Sequence, residues 1–308
     1  MEVKSIIFIN CKQCLKKMEE DISNKYSILI TPMVFIMLTV IGWPLIRTIL
    51  MSFTNEGLMD LEPVKIVGIK NYIRAITNND YLSALKVSGI FAIAVVTSEM
   101  ILGTLVGLLV NQPFKGQKIV RALLIVPWAI PTVVNAMMWK LIYNPEYGAL
   151  NSFLYQMNII TDYVSWLSTP SKTLGAIIFA DVWKNFSLVA MIVLASLQSL
   201  SKDQIEAAEI DGANALQRFK NITLPHILPS LQVALVLRII EAVKVFDIIY
   251  IMTKGGPANK TRSGTIFIYQ EAFSNSRLGS GATYAVLLVF FILIIILLYM
   301  KLLNRKEE

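Results

Sequence analysis

Two sets of residues in this chain have types and spacings that could do chemistry. The first is the run Glu206-Ala207-Ala208-Glu209-Ile210-Asp211-Gly212-Ala213, in which carboxylates alternate with side chains small enough to let another surface approach. The second is Arg238, Glu241, Lys244 and Asp247, which recur every three residues with alternating sign inside an otherwise apolar stretch. Neither set supplies a nucleophile with its base. The single histidine, His226, cannot build a metal site or a triad and is expected to cap or sit at an interface. Cys11 and Cys14 form a lone CxxC without a second pair, so no metal is expected. Gly255-Gly256-Pro257-Ala258-Asn259-Lys260-Thr261 lacks the glycine before lysine that a phosphate loop requires. What remains is recognition and charge pairing. The chain is expected to be no enzyme, to bind no cofactor itself, and to leave any nucleotide to a separate protein.

Helices in a membrane must position these residues. The 308-residue chain is 55% hydrophobic and 16% charged, where soluble domains carry about a quarter charged residues. About 20 apolar helical residues cross a bilayer core. The apolar runs predict six spans, at 26–53, 87–110, 119–143, 173–197, 227–252 and 281–303, and hence an all-α polytopic membrane protein. Residues 1–25 form a tail, 54–86 an extracytoplasmic loop, 87–303 a core of five helices, and 304–308 a second tail. Six crossings put both ends on one side. Placing them inside assigns the larger share of Lys and Arg to the cytoplasm, as orientation rules require. The net charge of +7 then reflects topology rather than nucleic-acid binding. No cleavable leader is expected, because the first apolar run has a full span's length. The acidic run falls in the cytoplasm.

That run reads as a helical hairpin at 198–229. Ser201 and Gln204 have capping-box spacing ahead of a helix from Lys202 to Ile210. Gly212 suits the left-handed geometry that ends a helix. A second helix at 213–221 presents Leu216 and Phe219, and Pro225 is expected to end it. Pro229 fits the first turn of the fifth span. A helix resting on lipid headgroups would want a basic face, whereas this one is acidic. It is expected to dock on a protein. The alternating charges of the fifth span admit two readings: they border a path and hydrogen-bond a solute, or they lock this helix to a partner subunit. The lock is the preferred reading. Glu99, Asp181 and Lys184 carry the same ambiguity.

Glu206-Ala207-Ala208 with Asp211-Gly212-Ala213, Phe219, Ile222, Leu224-Pro225 and Pro229 resembles the EAA loop of ATP-binding-cassette importer permeases. More narrowly, the chain resembles the carbohydrate-uptake group related to the maltose and glycerol-3-phosphate systems. Gly68-Ile69-Lys70-Asn71-Tyr72, Val245-Phe246-Asp247 and Met252-Thr253-Lys254-Gly255-Gly256-Pro257 agree with that likeness, which covers roughly 26–303. The resemblance implies a type I ABC importer transmembrane domain in a bacterial or archaeal cell membrane. It also implies a second, similar permease, a cytoplasmic ATPase dimer carrying ATP and Mg, and an extracytoplasmic solute-binding protein delivering sugar. By the same likeness Glu206 makes a charged contact to the ATPase and Ala207 and Ala208 pack into its groove. Gly212 permits the turn, Asp211, Ala213 and Phe219 belong to the same coupling set, and Leu224-Pro225 relays motion to the fifth span. Glycerol phosphate, amino acids or peptides are alternative solutes. An ion-coupled secondary transporter is a further rival, but it would not need the hairpin, and no inverted repeat is evident.

Overall fold

The computed structural model describes residues 30–59 and 63–304. The tail at 1–25 with Cys11 and Cys14, the start of the first predicted span at 26–29, and residues 305–308 lie outside the described residues. Helices account for nearly all of the rest. One antiparallel bridge, Thr54 with Ile66, is the only β pairing among the described residues.

The first helix, α1 (Ile30–Met51), is a full span of apolar residues with a π turn at Leu38–Gly42. None of its span-length window is buried against the rest of the chain. Only its end is anchored. The Ser52 carbonyl accepts from Asn71 and Thr283, and the Ser52 hydroxyl bonds the Tyr72 hydroxyl at 2.6 Å. Those contacts recruit the short α2 (Lys70–Ile76) and the last helix, α13 (Leu278–Asn304).

The centre is built on α3 (Asn79–Asn111) and α7 (Pro170–Gln198). Asn78 starts α3 by accepting the Asp80 and Tyr81 amides, and Pro170 opens the first turn of α7, where its missing N–H costs little. The two helices approach closely because Gly103 and Gly107 are four apart on α3. A Cβ at Gly103 would lie 2.5 Å from Val189 Cβ, and one at Gly107 2.8 Å from Val193 Cγ1. Small residues at helix contacts are how spans associate in lipid, where apolar burial alone gives little.

Four described helices are long and apolar enough to cross a membrane, and five if one bent pair counts as a span. Two predicted spans are not single rods. The third, at 119–143, is divided into α4 (Gln117–Ala129) and α5 (Thr132–Ile142), bent by 94°. Pro131 is the cause: it drives the preceding Ile130 to φ −69°, ψ 128°, outside the helical region.

The fifth, at 227–252, is divided into α10 (Leu224–Val243) and α11 (Asp247–Thr253). There the Val245 carbonyl accepts from the hydroxyls of Ser263 (2.9 Å) and Thr265, so it leaves the helical ladder. The remaining helices are α6 (Ala149–Gln156), the hairpin's α8 (Lys202–Ile210) and α9 (Ala215–Arg218), and α12 (Gly264–Tyr269).

Candidate functional site

The acidic run forms the expected hairpin. Ser201 caps α8, but its hydroxyl accepts from the Asp203 amide and not in the reciprocal box predicted with Gln204. The helix closes on Gly212 at φ +78°. Gly212 N–H donates to the Glu209 carbonyl (3.1 Å) and Ala213 N–H to the Ala208 carbonyl (2.9 Å), the paired bonds of a Schellman turn. A capping box does exist one turn later. Asn214 accepts the Gln217 amide at 2.9 Å while the Gln217 side chain accepts the Asn214 amide at 2.8 Å. Asn and Gln three apart were legible as that box and were missed. The two arms are tied by Arg218 to Glu209 at 3.2 Å.

The hairpin's outer surface is left free. Ile210 and Leu216 are 87% and 73% exposed on either side of the turn. Glu206, Ala207 and Asp211 are exposed, and Ala208 and Ala213 are half-buried. Among the described residues no side chain pairs with Glu206. Such a tip is an acidic and apolar plug.

Pro225 does not end the second helix, contrary to expectation. Leu224 keeps helical angles, φ −63°, ψ −46°, and donates to the Phe219 carbonyl across a π turn, Phe219–Thr223. The widened turn falls just before Pro225, where no N–H is available to the carbonyl of Asn221. α9, the π turn and α10 are therefore one continuous rod from Ala215 to Val243, about 42 Å at the usual helical rise. His226 seats the start of α10 on the end of α7, its Nε2 3.0 Å from the Ser196 carbonyl and 3.1 Å from Ser199 Oγ.

Near the far end of that rod lies Arg238, 3% exposed. Its guanidinium holds Glu99 of α3 with Nε–Oε2 at 2.6 Å and Nη2–Oε1 at 2.9 Å, and reaches Asp181 of α7 at 3.4 Å. It also bonds Glu241 one turn on. Glu99 is fully buried and Asp181 and Lys184 nearly so. The planar, forked guanidinium suits this multiple pairing better than an ammonium would. Arg238 thus joins three helices of its own chain, whereas the sequence reading had the charges locking the helix to another subunit.

The predicted stripe does not stay on one face. Glu241 and Lys244 lie at the end of α10, Asp247 opens α11 beyond the break, and all three are exposed. They line a cavity of about 250 Å³ with Trp128, Asp181 and Phe246. Aromatic rings beside mixed charges offer both a stacking surface and hydrogen-bond partners to an uncharged polar solute.

Residues 99–307 match the family model described as "Binding-protein-dependent transport system inner membrane component". The chain is 36% identical over 275 residues to the trehalose/maltose transport system permease protein MalF of Thermococcus litoralis, covering 89% of this chain and 92% of that protein. It is 30% identical over 280 residues to the sulfoquinovosyl glycerol transport system permease protein SmoG of Agrobacterium fabrum, covering 91% and 90%. Its fold is shared with a chain in the crystal structure of a bacterial ABC transporter involved in the import of the acidic polysaccharide alginate. There the TM-score is 0.82 at 21% identity, covering 95% of this chain and 100% of that one.

Proposed function

The chain belongs to the family of binding-protein-dependent transport system inner membrane components, and on that premise we propose that it is one permease subunit of an ATP-driven sugar importer. The sugar follows from the relatives, whose names include trehalose, maltose and sulfoquinovosyl glycerol carriers. The observation that carries the coupling is the free hairpin tip: Glu206 unpaired, Ile210 and Leu216 bare, Gly212 turning the chain at φ +78°. A cytoplasmic ATPase dimer holding ATP and Mg takes this tip into a basic-edged groove. A second permease completes the path, and an extracytoplasmic binding protein delivers solute to it.

In this mechanism ATP draws the two ATPases together and displaces the docked hairpins. The rod from Ala215 to Val243 carries the displacement to the Arg238 cluster, so that α3 and α7 move with it. Rigid helices rearranging between two packings are how small shifts become gates. ATP gives direction only because it favours one packing over the other. Of the charged residues, Arg238 acts as the structural hub, while Glu241, Lys244 and Asp247 border the solute path.

The test is the pair of variants Glu206→Lys and Gly212→Val, assayed for ATPase retained on membranes and for radiolabelled-sugar uptake. Both should release the ATPase and abolish uptake while capture of sugar by the binding protein persists. Normal uptake in both would end the docking assignment.

A further inference from the structure

At the end of α7 remote from the hairpin, α5, α6 and the first turns of α7 enclose an apolar groove of about 660 Å³, walled by Trp139, Leu150, Phe153, Leu154 and Phe179. Lys172 to Gln198 spans about 39 Å of helix, so the groove and the hairpin serve opposite membrane faces. Tyr143 and Trp166 border the groove and also border a second hollow of about 310 Å³, mostly apolar, whose lining includes Lys140, Ser165 and Ser168. Lys172 lines the groove itself. Neither lysine pairs with a carboxylate among the described residues; Lys140 reaches only the Ile251 carbonyl, at 3.3 Å. The groove is open at Phe153 and Phe179, which are 58% and 57% exposed.

We propose that this two-chambered groove holds one anionic diacyl phospholipid. An acyl chain lies along the aromatic wall, and the phosphodiester sits where the two hollows adjoin at Tyr143 and Trp166, with Lys172 on the groove side and Lys140 on the other. The chemistry selects this occupant over others. A sugar would find few hydrogen-bond partners along the apolar wall, and a neighbouring apolar helix would offer the two lysines no anion. Aromatic rings concentrate at membrane–water interfaces, and a lysine ammonium binds a phosphate group through its charge. The proposal depends on the membrane placement of the chain and not on the nature of the transported solute.

The full-length protein, purified with the subunits that accompany it, should be examined by native mass spectrometry with phosphatidylglycerol and phosphatidylcholine of identical acyl chains. Phosphatidylglycerol should be retained in preference, and Lys140→Gln with Lys172→Gln should lower its retention about tenfold. As a second readout, acyl-brominated phosphatidylglycerol should quench Trp139 and Trp166 in the protein and less so in a Phe153→Ala variant. Equal retention of both lipids, or retention unchanged in the double variant, would overturn the proposal. So would a disulfide from Phe179→Cys to a second permease subunit, since the groove would then be covered by protein. Sugar uptake plays no part in these readouts, so failure here leaves the transport reading standing.

Discussion

Arg238 and Glu99 lie 139 positions apart and form a two-pronged ion pair with neither side chain more than 3% exposed. Among the described residues Glu99 ion-pairs with no cation but Arg238, and a buried charge in a hydrocarbon setting needs its partner. Arg238→Met should therefore strand Glu99 and cost about 3–5 kcal/mol. Glu241→Gln, at a side chain 56% exposed, should cost less than about 1 kcal/mol. Thermal melts of the two purified variants check the order, and equal melting temperatures would refute the hub. The three-residue rhythm from Arg238 was legible in the sequence. Its partner was not, because Glu99 is a lone acid in another span and nothing local says which helix it faces. Gly212 was legible in full, since the left-handed turn is a property of one residue's backbone. Gly212→Ala should cost about 1 kcal/mol from the strained backbone, seen as weaker association of the ATPase at equal expression.

At the scale of elements, α3 and α7 pack where Gly103 and Gly107 admit Val189 and Val193. Adding side chains there forces the helices apart, so Gly103→Val should lower stability by about 1–3 kcal/mol and Gly89→Ala, with open space around it, should not. Melting of the detergent-purified protein separates the two. Glycines four apart in an apolar helix are a readable signal of such a contact. The lengths of α7 and α13 were readable to within a few residues, whereas α3 begins at Asn79, inside the stretch expected to be loop. The breaks in the third and fifth predicted spans divide differently. The first traces to Pro131, which keeps Ile130 out of helical angles, and the two halves meet at 94°. The second follows from Ser263 and Thr265 taking the Val245 carbonyl, and those hydroxyls come from the start of α12, later in the chain. Pro225 misled in the opposite direction: a π turn carries the helix through it.

Across the whole molecule, the consequence of that continuity is a single rod between the exposed tip and the buried cluster. Softening it with Ile222→Gly and Thr223→Gly costs helix propensity of about 1 kcal/mol per glycine. The ATPase should still co-purify with this variant while sugar uptake falls several-fold. Loss of both together would place Ile222 and Thr223 in the docking surface instead. By itself the sequence determined the membrane class, the acidic hairpin and the family likeness, because each depends on composition, local backbone preference or a contiguous motif. The tertiary structure alone decided which acids share Arg238, where the spans break and which charges face a cavity. Those outcomes depend on side chains and hydroxyls brought together from distant positions, and in a low-dielectric interior the pairing that leaves no charge or carbonyl unanswered prevails.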